Sequence, residues 1–398
     1  MKGALLFGKG KFEEALAEYR EGLKTANIFE AMACQKGAYD CLLAMRRFRL
    51  AHKLLTIEYE ADTSANVSAL QRLCNINRIL GLDSYSLQSR LASSQKDYCL
   101  PQLVRSENAD IVRRAIGIAT ACMQTPSPMV GTLSLRAVAY GAIGDSVAAA
   151  QDAKTCLVEY SHILDPEMLS VANATYANSA ILAHAILRHD DAEAADACKN
   201  GAAQRTARAD YYYALSCLKA RQGRADDAVA LLDSAFRFGF YDYEWMSRDP
   251  LLASVRDSRA LRDRISRCAK DVESEPEPAV RHLDIPCRFE NGAVKMKGLV
   301  NGCSMDVYYI PGSVGLTISE ETAGFLRKNG KLRFIGRKDG ELARLDEVKV
   351  GELVLRNVQA VVLSQKEPVK LDYYTLLQAG FAKPDRRRGV LSLSYVDF

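Results

Sequence analysis

The chain has 398 residues, 26% charged and 48% hydrophobic, which is too long for one ordinary domain and supplies enough apolar material for two or three cores. Its 53 Lys and Arg stand against 49 Asp and Glu, and a net charge of +4 over the whole length argues against a nucleic-acid partner or a strongly anionic membrane surface. The most apolar stretch, Ala172 to Leu187, is interrupted by Asn173, Asn178 and His184, short of the roughly 20 continuous apolar residues that span a bilayer.

Residues 1–12 lack the charged start, apolar centre and small-residue cleavage site of a secretory leader. From there to residue 268, Ala, Leu, Arg and Glu dominate, and apolar side chains recur at three and four positions, so a succession of amphipathic helices is expected. A local pattern repeats along it. Gly10 is followed by Phe12, Ala15, Leu16 and Tyr19, and Gly223 by Ala225, Ala228, Leu232 and Ala235. Weaker copies run through Phe48, Ala51 and Leu55, through Gly144, Ala149 and Ala153, and through Asp190 and Ala195. The pattern resembles the second helix of a tetratricopeptide repeat. In physical terms, the glycine ends one helix in the left-handed conformation and the small alanine lets the partner helix approach closely. Ala15 to Ala51 and Ala195 to Ala228 are 36 and 33 residues apart, near the repeat length of about 34, and a divergent copy turning at Gly81-Leu82-Asp83 would fill the longer interval between. Measured against the repeat, Met1 falls inside a first helix, so the array is expected to be truncated. The compartment stays open: periplasmic if a leader lies upstream, cytoplasmic otherwise. At the other end, Phe236 to Ile265 reads as capping helices that cover the last apolar face.

Residues 269–283, with Glu273, Glu275, Pro276, Glu277 and Pro278, form an acidic, proline-punctuated linker. Beyond it the apolar period becomes two. Val294 to Val300 alternates, Asn301-Gly302 is a two-residue hairpin signal, and Cys303 to Ile310 is its partner strand. Further strands are predicted over Leu332 to Ile335, Leu342 to Val350, Leu353 to Leu363 and Val390 to Val396, with one helix from Ser319 to Lys328. The predicted architecture is thus multidomain: an all-α solenoid over 1–268, a linker, and a small all-β barrel domain over 284–398.

The β-domain resembles the single-lobe, retropepsin-like aspartic peptidases found in bacteria. The resemblance runs through Val300-Asn301-Gly302-Cys303-Ser304-Met305-Asp306, then Ile310-Pro311-Gly312-Ser313-Val314, then Thr317-Ile318-Ser319 and a helix carrying Ala323. In that family the central five residues read Asp-Thr-Gly-Ala-Ser, and two such lobes pair so that two carboxylates share a proton, one activating water and the other protonating the peptide. Here Ile310 stands at the aspartate position, and only Gly312 of the five is kept. Lys338-Asp339-Gly340 stands at the flap turn, and Leu371-Asp372 where an apolar pair precedes glycine. The resemblance therefore implies an inactive homologue whose site, at Ile310, Pro311, Gly312 and Ser313, is degenerate. Asp306 and Asp372 are nearby acids on which a residual peptidase could draw.

Other signals carry less. Gly8-Lys9-Gly10 has no strand before it, as a phosphate loop requires. Gly312-Ser313-Val314-Gly315 places its serine one position early for a nucleophile elbow. His184 and His189 lie on different helix faces, Arg386 to Arg388 reads as a solvated turn, and the eleven cysteines, without CxxC spacing, read mainly as small buried hydrophobes, so neither metal nor cofactor is expected. What remains is binding. In a repeat array the concave face is lined by first-helix residues, here Lys36, Asp40, Asp210, Tyr213 and Arg221, as contacts for a protein or peptide ligand. The expected function is a non-catalytic scaffold or adaptor, with the β-domain as second contact or homodimerisation surface; the alternative is an active aspartic endopeptidase that recruits substrate through the repeats.

Overall fold

The structure, a computed structural model, describes residues 2–25, 28–61, 67–125, 131–161, 173–188, 208–311, 315–337, 341–377 and 379–396. Its contacts divide the chain into two compact units: Met1–Asn66 with Pro276–Phe398, and Val67–Glu275.

The first unit begins with α1 (Lys2–Gly8), α2 (Phe12–Thr25), α3 (Ile28–Ala44) and α4 (Phe48–Ala61). The expected turn at Gly10 closes α1: Gly10 takes a φ of 75°, its N–H donates to the Phe7 carbonyl at 2.9 Å, and the Lys11 N–H reaches back to Leu6 at 3.0 Å. This paired closure satisfies carbonyls that the helix end would otherwise leave open. The two marker alanines, Ala15 and Ala51, are fully buried. Tyr19 of α2 lies over Gly3 and Gly37, both too close to its ring to admit a side chain.

The same unit contains the β-domain. Its strands are β1 (Val280–Pro286), β2 (Arg288–Glu290), β3 (Ala293–Val300), β4 (Cys303–Tyr309), β5 (Thr317–Ser319), β6 (Arg333–Arg337), β7 (Glu341–Val350), β8 (Leu353–Leu363), β9 (Val369–Leu371), β10 (Phe381–Asp385) and β11 (Val390–Val396). One sheet has the order β2-β3-β4-β9-β5-β8-β7-β6, and a further pairing of β3 with β7, Val300 opposite Val348, closes it into a barrel. Gly298 makes the closure possible, because a Cβ there would meet the Lys349 carbonyl at 2.8 Å. Val294, Met296, Val300, Val307, Leu345, Val348, Leu355 and Leu371 fill the interior. The Asn301-Gly302 hairpin forms as predicted, with both residues at positive φ. Asn301 does more than turn the chain: its carboxamide accepts from the Glu347 N–H at 2.9 Å and donates to the Lys331 carbonyl at 2.5 Å, tying the hairpin to β7 and to the end of the helix that follows β5.

A second, three-stranded sheet has the order β1-β11-β10. Its β1 begins at Val280, inside the segment expected to be a linker, and the helix before it runs to Ser274, so only residues 275–279 lack a regular element. β1 escapes a period-two reading because most of its residues are exposed; its partner β11 supplies the pairing. Pro384 sits in β10, an edge strand, where its missing N–H removes no ladder bond. Helix α4 packs on β10 and β11, and α2 on β8, which is why the first four helices belong with the barrel and not with the remaining helices.

The second unit is helical: α5 (Val67–Ile79), α6 (Tyr85–Ala92), α7 (Leu100–Leu103), α8 (Ala109–Cys122), α9 (Thr132–Ala142), α10 (Ser146–Ser161), α11 (Asn173–Leu187), α12 (Arg208–Arg221), α13 (Ala225–Arg237), α14 (Tyr243–Arg248) and α15 (Arg259–Ser274). The predicted turns at Gly81, Gly144 and Gly223 all end helices with the closure seen at Gly10: Leu82 to Asn77, Asp145 to Tyr140 and Arg224 to Lys219. Ala149 and Ala228 are buried at the expected close approaches; Ala195 lies outside the described residues. The hairpin α9–α10 is locked by Arg136, which grips both oxygens of Asp152 at 2.7 and 2.8 Å. The closing segment buries Phe240, Tyr241, Tyr243 and Trp245. Among the described residues no helix is long and apolar enough to cross a membrane.

Candidate functional site

β4 and β9 run parallel, Tyr309 beside Leu371, and the Ile310 N–H donates to the Leu371 carbonyl at 3.3 Å. Both strands end there, so Ile310 and Asp372 leave the barrel from adjacent strands. Pro311 is exposed; Gly312, Ser313 and the turn 338–340 lie outside the described residues. The chain continues through buried Leu316 into β5, where Thr317 donates its hydroxyl to Gln365 Oε1 at 2.8 Å.

Asp372 is fully buried. Its Oδ1 accepts from the Thr375 N–H at 3.1 Å and from the Thr375 hydroxyl, and its Oδ2 accepts from the Tyr374 N–H at 3.3 Å. These are the bonds of an N-cap: after helix α16 (Glu320–Lys328), which follows β5, Asp372 opens the short helix α17 (Tyr373–Leu376). A carboxylate with three donors from its own turn, closed from solvent, is poorly placed to polarise a water molecule. A sequence signal for this role exists: Asp directly before a short helix is the residue type that caps.

Asp306 faces away from the barrel interior. Its carboxylate meets Lys297 at 2.5 Å, its partner across the β3–β4 ladder, and Lys295 at 3.2 Å. The Lys297 ammonium, with help from Lys295 and against partial burial, holds this carboxyl below its usual range, so it stays ionised and has no proton to give. Lys295 is raised in turn, first by Tyr308, which it also approaches face-on at 5.6 Å from the ring centroid, and then by Asp306. The two fallback acids thus serve a cap and a surface ion cluster.

The five residues assigned to a peptide-binding face fall in both units. Lys36 and Asp40 share one exposed face of α3, in the first unit; Asp210, Tyr213 and Arg221 belong to α12, in the second. Asp210 is exposed, with Arg105 at 3.6 Å. Arg221 is half-buried and donates to the Ala185 carbonyl at 3.2 Å. Tyr213 is interior: it is 4% exposed, stacked on Phe240 at 4.0 Å, with its hydroxyl donated to Asp249 at 2.5 Å. Tyr211 is buried on the same helix, and Tyr212 between them is half-buried and stacked on Phe238 at 5.3 Å.

Among the described residues no group of His, Cys, Asp and Glu has the disposition of a metal site. Cys41, Cys74, Cys99, Cys156 and Cys217 are buried free thiols, and burial pushes Cys41, Cys74 and Cys156 up to about 12, which leaves no thiolate at neutral pH. Cys198 lies outside the described residues.

No protein-family model matches the chain, and no curated protein is similar to it. The crystal structure of a retropepsin-like aspartic protease from Rickettsia conorii is similar over 30% of this chain and 96% of that one, at 20% identity and a TM-score of 0.24. Likeness at that level assigns neither an activity nor an assembly to this chain.

Proposed function

We propose that the protein is a non-catalytic scaffold in which helical repeats of tetratricopeptide type hold a protein or peptide segment, while a degenerate aspartic-peptidase barrel provides a second contact or a dimerisation surface. The observation that carries this reading is the pairing at the strand ends: an alkyl side chain at Ile310, and at Asp372 a carboxylate committed to capping a helix. Acid–base hydrolysis of a peptide needs a group that can accept and return a proton. Ile310 has none to exchange.

The competing reading, a peptidase working through Asp372 or Asp306, is separated by one assay. The purified chain is incubated with an unfolded protein substrate at acid and neutral pH, with and without pepstatin. The scaffold reading expects no pepstatin-sensitive cleavage at either pH. Cleavage that pepstatin blocks and that Asp372→Asn or Asp306→Asn abolishes would overturn it. Sedimentation of the same preparation over a concentration series tests the dimer.

A further inference from the structure

Within the unit of Met1–Asn66 and Pro276–Phe398, helices α2, α3 and α4 and strands β10 and β11 border a cavity of about 220 Å³. Its walls are apolar: Leu42 is fully buried, Leu54 and Phe381 are 8% exposed and Val396 5%. A dry cavity of about 150 Å³ takes a benzene-sized molecule, so this one has room for a ring with a short substituent. Besides the tyrosines Tyr39 and Tyr395, two polar side chains share its border, Gln35 and the exposed Arg20. The amide nitrogen of Gln35 is buried without a hydrogen-bond partner. An unmet buried donor is costly, and the glutamine amide turns easily about its last torsion, so an acceptor entering the cavity satisfies it. Tyr39, on the inner wall, is held as a fixed surface because its hydroxyl is donated to buried Glu58 at 2.7 Å.

We propose that this cavity binds a small carboxylic acid with an aromatic or branched apolar body, the body lying among Leu42, Leu54 and Phe381 and the carboxylate meeting Gln35 and Arg20. The apolar walls select the body, the orphan amide selects a carbonyl-type acceptor, and the guanidinium selects the charged form over the neutral one. The site is separate from the strand ends at Ile310 and does not depend on the scaffold reading.

The test titrates the full chain with 3-phenylpropanoate, its primary amide and 3-phenylpropylamine, followed calorimetrically and by saturation-transfer NMR. Saturable one-site binding of the acid at millimolar concentration, weaker binding of the amide and none of the amine are expected. Gln35→Leu, close in size, should weaken the acid about tenfold, the loss of one hydrogen bond to a charged group. Arg20→Met should bring the acid down to the affinity of the amide. Leu54→Trp should fill the cavity and abolish binding; circular dichroism checks its fold, and the other two variants decide the matter if it does not fold. The proposal is overturned if the acid shows no saturable binding, if the amine binds as well as the acid, or if both Gln35→Leu and Arg20→Met bind the acid as the parent does.

Discussion

Replacing Arg78 by Met tests whether the second unit depends on one buried ion pair. Arg78, on α5, is 4% exposed in its side chain and Asp242, which caps α14, is 10% exposed. The guanidinium donates to Asp242 at 2.7 and 3.3 Å, to the Gln102 carbonyl at 3.0 Å and to Asn75 at 2.9 Å. These bonds join segments 164 residues apart in the chain. Methionine fills much of the volume but leaves the Asp242 carboxylate buried, with Arg105, 3.8 Å away, as its remaining cation. Removing one partner of a buried pair costs about 3–5 kcal/mol, and the surviving Arg105 contact places Arg78→Met near the lower end, about 3 kcal/mol. Pairing it with Asp242→Asn removes the stranded charge while keeping a capping side chain, and should recover about half of that loss or more. The chain has a single tryptophan, Trp245, buried three residues beyond Asp242, so its fluorescence during urea unfolding reports on this unit. A loss below about 1 kcal/mol for Arg78→Met, or single losses that simply add in the double variant, would refute the reasoning.

Three further outcomes follow from the same physics. Gly37→Ala forces a Cβ into the Tyr19 ring and should destabilise the first unit by about 1–3 kcal/mol, read by circular dichroism on urea unfolding; adding Tyr19→Leu should restore part of the loss, and an unchanged midpoint for Gly37→Ala speaks against the close packing. Burial pushes the Asp249 carboxyl up from its ordinary 3.8, more than the Tyr213 hydroxyl and the Leu251 N–H pull it down. The folded state then holds this proton more tightly than the unfolded one, so the contribution of Asp249 is greatest below pH 3.8 and is lost as pH rises through the folded value. The stability difference between parent and Asp249→Asn, followed through Trp245, should therefore shrink with rising pH; a difference that grows contradicts it. Asp306 has the opposite sign. Lys297 and Lys295 lower its carboxyl below 3.8, so its contribution to the barrel is present above that pH and is lost as pH falls through the folded value, and Asp306→Asn should remove that part of the acid sensitivity seen by amide hydrogen exchange in β3 and β4.

How much of this was readable from the residues depended on how local the cause was. The Asn301-Gly302 hairpin and the helix ends at Gly10, Gly81, Gly144 and Gly223 are set within a few residues, and each forms where the sequence predicts. Strands β5 and β9 were not readable: three residues each, they are strands because β8 and β4 lie alongside in parallel register. The joining of α1–α4 to the barrel was hidden too. Phe48, Ala51 and Leu55 read as the buried face of a helical repeat, yet α4 turns part of its apolar surface to β10 and β11, and nothing in its periodicity distinguishes a helical neighbour from a sheet. At the strand ends, that position 310 carries no proton donor or acceptor is plain from the residue alone. The interior place of Tyr213 was not, since its partners Phe240 and Asp249 come 27 and 36 residues later.

The acid that remains beside Ile310 is bound up with the packing around it. For the Asp372 carboxylate to swing out toward the strand ends, its oxygens must leave the Tyr374 and Thr375 donors, and losing such a cap costs about 1 kcal/mol. The penalty does not stop at the cap. Leu376, fully buried at the other end of α17, is held in the barrel core, and the helix itself packs against α3 and β10. Leu377 and Gly380, which follow it, line the 220 Å³ cavity. Freeing the carboxylate thus means loosening a short helix that is anchored in the barrel core through Leu376 and runs directly into the segment bordering the cavity.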